Sequence, residues 1–395
     1  MRLMTSEKFM KLFFHDTISK NEKQYLKTQE KLKSGGNIVA KIEDIDKNFK
    51  NQTVKEEGLT YYNCLSEPFS LHGFSSPRES GVFSRLPLSF AECGDVSGGV
   101  RRLMFNTSGG RVRFRTNSKT VAIKAEVVEP APMNHMPVTG SRGFDLYAKE
   151  ADAEDLTFRK SMVSSELTYN ISHEFDDKKL RDVTINFPLY NGVKSLFIGL
   201  DENCTLTEPL PYAIEKPIVF YGSSVSQGAC ASRPGANYIP TLSRWLDADF
   251  INLGFSGNDK GEEALAHHIA SLDMSAFVYG YGYNIPTVEH YENTHYPFYE
   301  IVRKKNPELP IIIMSSPMCP KLKNKNQLSL FAKAREVAIN SFEKAKKNGD
   351  NVYFIDGFTL LENPDATVDC THPTDLGFYE MAKKIYPILK KILTY

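Results

Sequence analysis

Cysteine is scarce in this chain: 395 residues hold six, and no two form a Cys-x-x-Cys pair. Cys64, Cys93, Cys204, Cys230, Cys319 and Cys370 stand singly, which argues against a zinc-ribbon site or a dense disulfide framework and predicts reduced thiols in a cytoplasmic protein. Net charge is also missing, since 48 Lys and Arg balance 48 Asp and Glu. No basic surface of the kind that grips nucleic acid is therefore expected. No apolar run approaches the roughly 20 residues that span a bilayer, so no membrane partner is expected. The opening stretch MRLMTSEKFMKLFFHDTISK scatters charge among its apolar residues and does not read as a signal peptide. Repeats, low-complexity tracts and a Gly-x-x-x-x-Gly-Lys-Ser/Thr phosphate loop are absent. What is there is ordinary globular composition, 41% apolar and 24% charged, at a length that suggests two domains.

The texture changes twice along the chain. Residues 1–56 are rich in Lys and Glu, with Phe9, Leu12 and Phe13 at loosely helical spacing, and read as a helical or extended segment. From there to about 212 the period is two. RVRFRTNS sets Val112 and Phe114 against Arg111, Arg113 and Arg115, an arginine row expected to face solvent. TVAIKAEVV and DVTINFPLYNG alternate in the same way, and Ser108-Gly109-Gly110, Asn117-Ser118 and Asn191-Gly192 supply turns. Short strands with one apolar face predict an antiparallel β-sandwich.

After Pro217 the runs PIVFYG, DFINLG, AFVYGYG, PIIIMSS and NVYFIDG are apolar almost throughout. Helical stretches are predicted between them over 238–245, 260–272, 294–305 and about 327–347, with a last one over about 374–393. That alternation predicts a five-stranded parallel sheet covered on both faces, with function gathered at the carboxyl ends of its strands. Four polar groups stand at such ends: Gly222-Ser223-Ser224, then Gly257 and Asn258 in NLGFSGN, then Asn284 in GYGYNIP, and Asp369 and His372 in TVDCTHPTDLGF. Each alone has a plain structural reading. A serine after a strand is most often a turn or capping residue, Asn258 or Asp259 would cap the next helix, and Asp-x-x-His-Pro suits a capping turn.

Taken in order, Ser, Gly, Asn and Asp-x-x-His resemble the SGNH or GDSL hydrolase superfamily. KPIVFYGSSVSQGACASRPG, INLGFSGN, YNIPTVEHYENTH and VDCTHPTDLGF are similar to the branch that carries an N-terminal β-sandwich. FSRLP, GGRVRFRTNS, GFDLY and INFPLYNGV are similar to that sandwich, so the resemblance covers roughly residues 60–395. It implies a flavodoxin-like three-layer α/β/α hydrolase domain over 213–395, preceded by a jelly-roll-like sandwich over 57–212. It also implies acyl transfer through a serine. Ser224 would be the nucleophile, His372 the base that takes its proton, and Asp369 the group that orients the imidazole. The oxyanion hole would use the backbone N–H groups of Ser224 and Gly257 and the side chain of Asn284.

Two departures stand out. Ser223 occupies the usual Asp position of Gly-Asp-Ser, and Gly280 and Gly282 stand where relatives often carry acidic residues. Ser226 is expected to cap the following segment, and Ser232 is given no chemical role. Tyr283 and His295, with His290, are candidates for the substrate rim. His267 and His268 lack partners at metal spacing and are expected to be surface or packing residues. No metal or other cofactor is implied. The expected substrate is a small-molecule or oligosaccharide ester, with O-acetyl groups on a carbohydrate foremost by analogy. An acyltransferase with the same triad and a catalytically idle carbohydrate-binding protein are the alternatives. A homo-oligomer remains compatible with the sequence.

Overall fold

The alternating segments pair as their period requires. In the computed structural model, which describes residues 58–151 and 153–393, they form two antiparallel sheets. The segment expected over 1–56 lies outside the described residues. One sheet joins β1 (Leu59–Asn63), β4 (Thr120–Val127), β7 (Thr168–Glu174) and β9 (Val193–Asp201) in the order β1-β9-β4-β7. The other joins β2 (Ser70–His72), β3 (Arg111–Thr116), β5 (Phe144–Glu150), β6 (Thr157–Met162), β8 (Arg181–Asn186) and β10 (Leu206–Thr207), in the order β10-β3-β8-β5-β6 with β2 also on β3. Val112 and Phe114 face inward with Val121, Ile123, Leu146, Ile185 and Ile198, making one apolar core between the sheets.

The arginine row departs from expectation. Arg111 and Arg113 are 1% and 8% exposed rather than solvated. The Arg111 guanidinium pairs with Asp249 and lies 3.8 Å over the ring of Phe250, and Arg113 lies 3.7 Å over Tyr212. Alternation marks a face as polar, but it does not say what covers that face. Here Asp249 and Phe250 cover it, and a planar cation stacks on rings while its N–H groups reach an anion.

The apolar runs of the second half form a parallel sheet. β11 (Ile214–Gly222), β12 (Ala248–Gly254), β13 (Ala276–Gly280), β14 (Ile311–Met314) and β15 (Val352–Ile355) lie in the order β12-β11-β13-β14-β15. Residues on both faces of β11, β12, β13 and β14 are buried, while the edge strand β15 is half-buried except at Ile355. Ile218, Phe220, Val278 and Ile312 pack with Tyr238 and Leu242 of α2 (Tyr238–Leu246) and with Phe378, Met381 and Ile385 of α6 (Asp375–Leu393). Tyr221, Phe277 and Tyr279 stack instead on Phe298 of α4 (Val288–Lys305). Helices on both sides explain why these runs do not alternate. The architecture is thus a flavodoxin-like α/β/α domain after an antiparallel sandwich.

The other α-helices of this parallel-sheet domain are α1 (Ser224–Gln227), α3 (Glu263–Ala270) and α5 (Lys325–Lys347). α4 begins well before the expected residue 294, because the Thr287 hydroxyl accepts the His290 N–H at 3.0 Å and starts a polar first turn. No helix among the described residues is long and apolar enough to cross a membrane.

Candidate active site

The carboxyl ends of β11, β12 and β13 lie side by side, with Gly222 in register with both Gly254 and Gly280. Gly222 is needed for close approach, since a Cβ there would lie 2.5 Å from the Ser226 hydroxyl. The chain then turns straight into α1. Ser223 is its N-cap, with a hydroxyl that accepts the Val225 N–H at 3.2 Å, and Ser224 is its first residue. Ser226, expected to cap the following segment, lies inside α1, and Asn237 caps α2. The Ser226 hydroxyl meets the Tyr238 hydroxyl at 3.0 Å, because α2 packs against that side of the turn. Ser232 holds Asp375 of α6 through its N–H at 2.8 Å.

Ser224 Oγ lies 2.9 Å from His372 Nε2, and His372 Nδ1 lies 2.7 Å from Asp369 Oδ2. Asp369 Oδ1 also accepts the backbone N–H groups of Thr371 at 3.0 Å and His372 at 2.8 Å. The carboxylate thus folds the Asp-x-x-His turn around itself, which is why three residues of spacing suffice. With Nδ1–H donating to Asp369, the Nε2 lone pair is left to accept the serine hydroxyl. Partial burial works against ionisation of Asp369, but the N–H and ring of His372 outweigh it and hold the carboxyl below its ordinary value.

Gly257 is exposed, with φ of 71° and open space where a Cβ would go, so it is the left-handed turn itself that favours glycine. The residue before it is tied to α1, since the Ser256 N–H donates to Gln227 Oε1 at 2.9 Å. Neither Asn258 nor Asp259 caps α3. The N-cap position is Glu262, without a side-chain bond. Asn258 Nδ2 instead closes its own turn on the Ser256 carbonyl at 2.7 Å. Asp259 turns inward, fully buried. Its Oδ2 accepts the N–H groups of Gly282 at 3.2 Å and Tyr283 at 3.3 Å, and its Oδ1 accepts the Asn284 side-chain amide. Burial pushes the Asp259 carboxyl up to about 7, against the pull of those donors. Asp259 is the residue that sequence reasoning missed: the chain has glycines at 280 and 282, and a carboxylate from another loop supports Asn284. Its only local sign was an acid beside Gly257-Asn258, which a helix cap explained equally well.

Of the rim candidates, Tyr283 is half-buried, with its ring 5.2 Å from that of Phe331 and its hydroxyl enclosed. His295 is not at a rim. It is fully buried, 4.7 Å from the Tyr279 ring, and its Nδ1 meets the Ser341 hydroxyl at 2.7 Å. Its place in α4 turns it under the sheet, and burial lowers its pKa to about 3. His290 Nε2 donates to the Lys260 carbonyl at 2.8 Å and so pins the loop after Asp259. His267 is exposed beside Glu263, and His268 packs against Phe90.

The sandwich reaches this site as well. Asp145 of GFDLY accepts the Gly235 N–H at 2.7 Å, which ties β5 to the segment after the serine. Tyr190 places its hydroxyl 3.4 Å from the Ser224 carbonyl, and the His135 ring lies 5.9 Å from that of His372.

Two family models match these two regions. Residues 59–206 match the N-terminus of Esterase_SGNH_hydro-type, and residues 215–390 match the GDSL-like Lipase/Acylhydrolase family. The chain belongs to the GDSL-like lipase/acylhydrolase family. As a member of that family it is an enzyme of carboxylic ester bonds. A chain described as a GDSL-like lipase from Bacteroides ovatus is 29% identical to this acylhydrolase, with a TM-score of 0.77 over 85% of this chain and 98% of that one. A salicylyl-acyltransferase from a tetracycline biosynthetic pathway is 19% identical, with a TM-score of 0.68 over 86% and 98%. A family two carbohydrate esterase from Cellvibrio japonicus is 14% identical, with a TM-score of 0.57 over 85% and 98%. The last two likenesses concern the fold. No curated protein matches the chain.

Proposed function

We propose that this acylhydrolase is a serine esterase that removes small acyl groups, foremost O-acetyl, from a carbohydrate, through Ser224, His372 and Asp369. The observation that carries the reading is the unbroken run from Ser224 Oγ to His372 Nε2 at 2.9 Å and from His372 Nδ1 to Asp369 at 2.7 Å. Ser224 Oγ attacks the ester carbonyl as its proton passes to Nε2. The imidazolium then protonates the leaving alcohol, and an acyl-serine remains. Water repeats the steps in reverse roles and frees the acid. In each half the oxyanion is held by the backbone N–H groups of Ser224 and Gly257 and by one Asn284 amide N–H, while Asp259 occupies the other.

The carbohydrate is proposed from the likeness to the family two carbohydrate esterase and from the sandwich, whose Tyr190 and His135 reach the site. In this reading the sandwich spans 57–212 and the catalytic domain 213–395. Incubation with p-nitrophenyl acetate and with acetylated xylo-oligosaccharides tests it. Acetate release is expected, with an acyl adduct on Ser224 by mass spectrometry. Undiminished release by Ser224→Ala would end the reading. The likeness to a salicylyl-acyltransferase favours a second reading, in which an alcohol replaces water in the second half. Product analysis with an acceptor alcohol present separates the two.

A further inference from the structure

His135, Cys230 and His372 come from three separate segments, and one ligand atom from each lies within 4.8 Å of the others. His135 is exposed in the loop between β4 and β5, which is held in place where the Thr139 hydroxyl donates to the Ser232 carbonyl. Cys230 is 4% exposed and sits in the left-handed region at φ of 72°. Few residues with a Cβ adopt that conformation, and it persists only where the surroundings impose it. The outcome is a thiol held beside the imidazole that bonds Ser224. One thiolate and two imidazoles are the donor set that suits zinc and its neighbours, with bonds of about 2.0–2.3 Å. The spread of up to 4.8 Å leaves a small closure for binding to make, and His135 is the exposed member of the three.

We propose that His135, Cys230 and His372 form a site for a zinc-class divalent ion, and that the bound ion takes His372 out of the triad and inhibits the enzyme reversibly. On binding, the Cys230 thiol releases its proton to solvent. The sulfur and one nitrogen of each ring then donate lone pairs to the ion, and a water fills the fourth position. Both ring nitrogens of His372 are already engaged, so whichever one the ion takes, a triad hydrogen bond is lost. The inhibition rests on the esterase reading above, whereas the site itself does not.

The test uses the full chain, freed of metal with EDTA and desalted. Zinc titrated calorimetrically is expected to bind one equivalent. Cobalt(II) is expected to give a thiolate-to-metal charge-transfer band, and p-nitrophenyl acetate hydrolysis to fall with occupancy and return with EDTA. Each of His135→Ala and Cys230→Ala is compared with its own metal-free rate and is expected to need about 100-fold more zinc for equal fractional inhibition. Should the buried Cys230→Ala fail to fold, the exposed His135→Ala decides alone. Absence of the cobalt–thiolate band, equal zinc inhibition in the variants, or occupancy without loss of rate would each overturn the proposal. The band is read without catalysis, so an active Ser224→Ala would sink the esterase reading and leave the metal site to be judged by itself.

Discussion

Asp369 and Asp259 do the same local work in opposite surroundings. Each accepts two backbone N–H groups on one oxygen and a side-chain N–H on the other: Asp369 those of Thr371, His372 and the His372 ring, Asp259 those of Gly282, Tyr283 and the Asn284 amide. Asp369 lies in a turn with its side chain 40% exposed, and its carboxyl stays below the ordinary value. Asp259 is sealed from water, and its carboxyl rises to about 7. Three donors therefore do not by themselves fix a carboxylate's charge; access to water decides it. On the proposed mechanism the wet aspartate supplies charge to an imidazolium, and the dry one supplies geometry to an amide.

The comparison can be broken at its charged end first. Asp369→Asn keeps the shape and removes the charge, and kcat should fall by about 10³–10⁴-fold with the melting temperature little changed. A loss under tenfold would mean that Asp369 does not serve the imidazole. Next in size is Asn284→Ala, expected to lower kcat by about 10²–10³-fold at nearly constant KM, as for one lost oxyanion donor. Asp259→Ala should cost about 10²-fold, and the double variant with Asn284→Ala should be no slower than Asn284→Ala alone. Losses that multiply would show Asp259 acting by another route. The smallest effect concerns stability. The folded carboxyl of Asp259 is raised from 3.8 to about 7, so between those values the native state keeps a proton that the unfolded chain has released. Stability then drops as pH rises through that window, by at most about 1.4 kcal/mol per pH unit. Asp259→Asn removes this term, so the melting temperature of the variant minus that of wild type should increase from pH 5 to pH 8. A flat difference would place the titration elsewhere.

Features that depend on near neighbours in the chain were legible in the sequence. Two-residue alternation marked β3, β4 and β8, and unbroken apolar runs marked all five parallel strands, because periodicity reports how many of a strand's faces are apolar. The serine after β11 and the Asp-x-x-His turn were visible for a similar reason, since both are local spacings. Contacts between distant segments left weaker marks. The arginine row reads as solvated until Asp249 and Phe250 cover it. His295 looks like a neighbour of Asn284 until α4 carries it under the sheet. Asp259 looks like a helix cap until Asn284 arrives from the next strand end.

By itself, then, the sequence determined the two kinds of sheet, the order of their elements and the local geometry of the serine and histidine turns, because these follow from backbone conformation and side-chain period. Tertiary structure alone decided which carboxylate stays dry, which arginines are buried and which histidine and thiol meet beside the serine. Those outcomes depend on which surfaces exclude water together, and residues far apart in the chain share them only once it has folded.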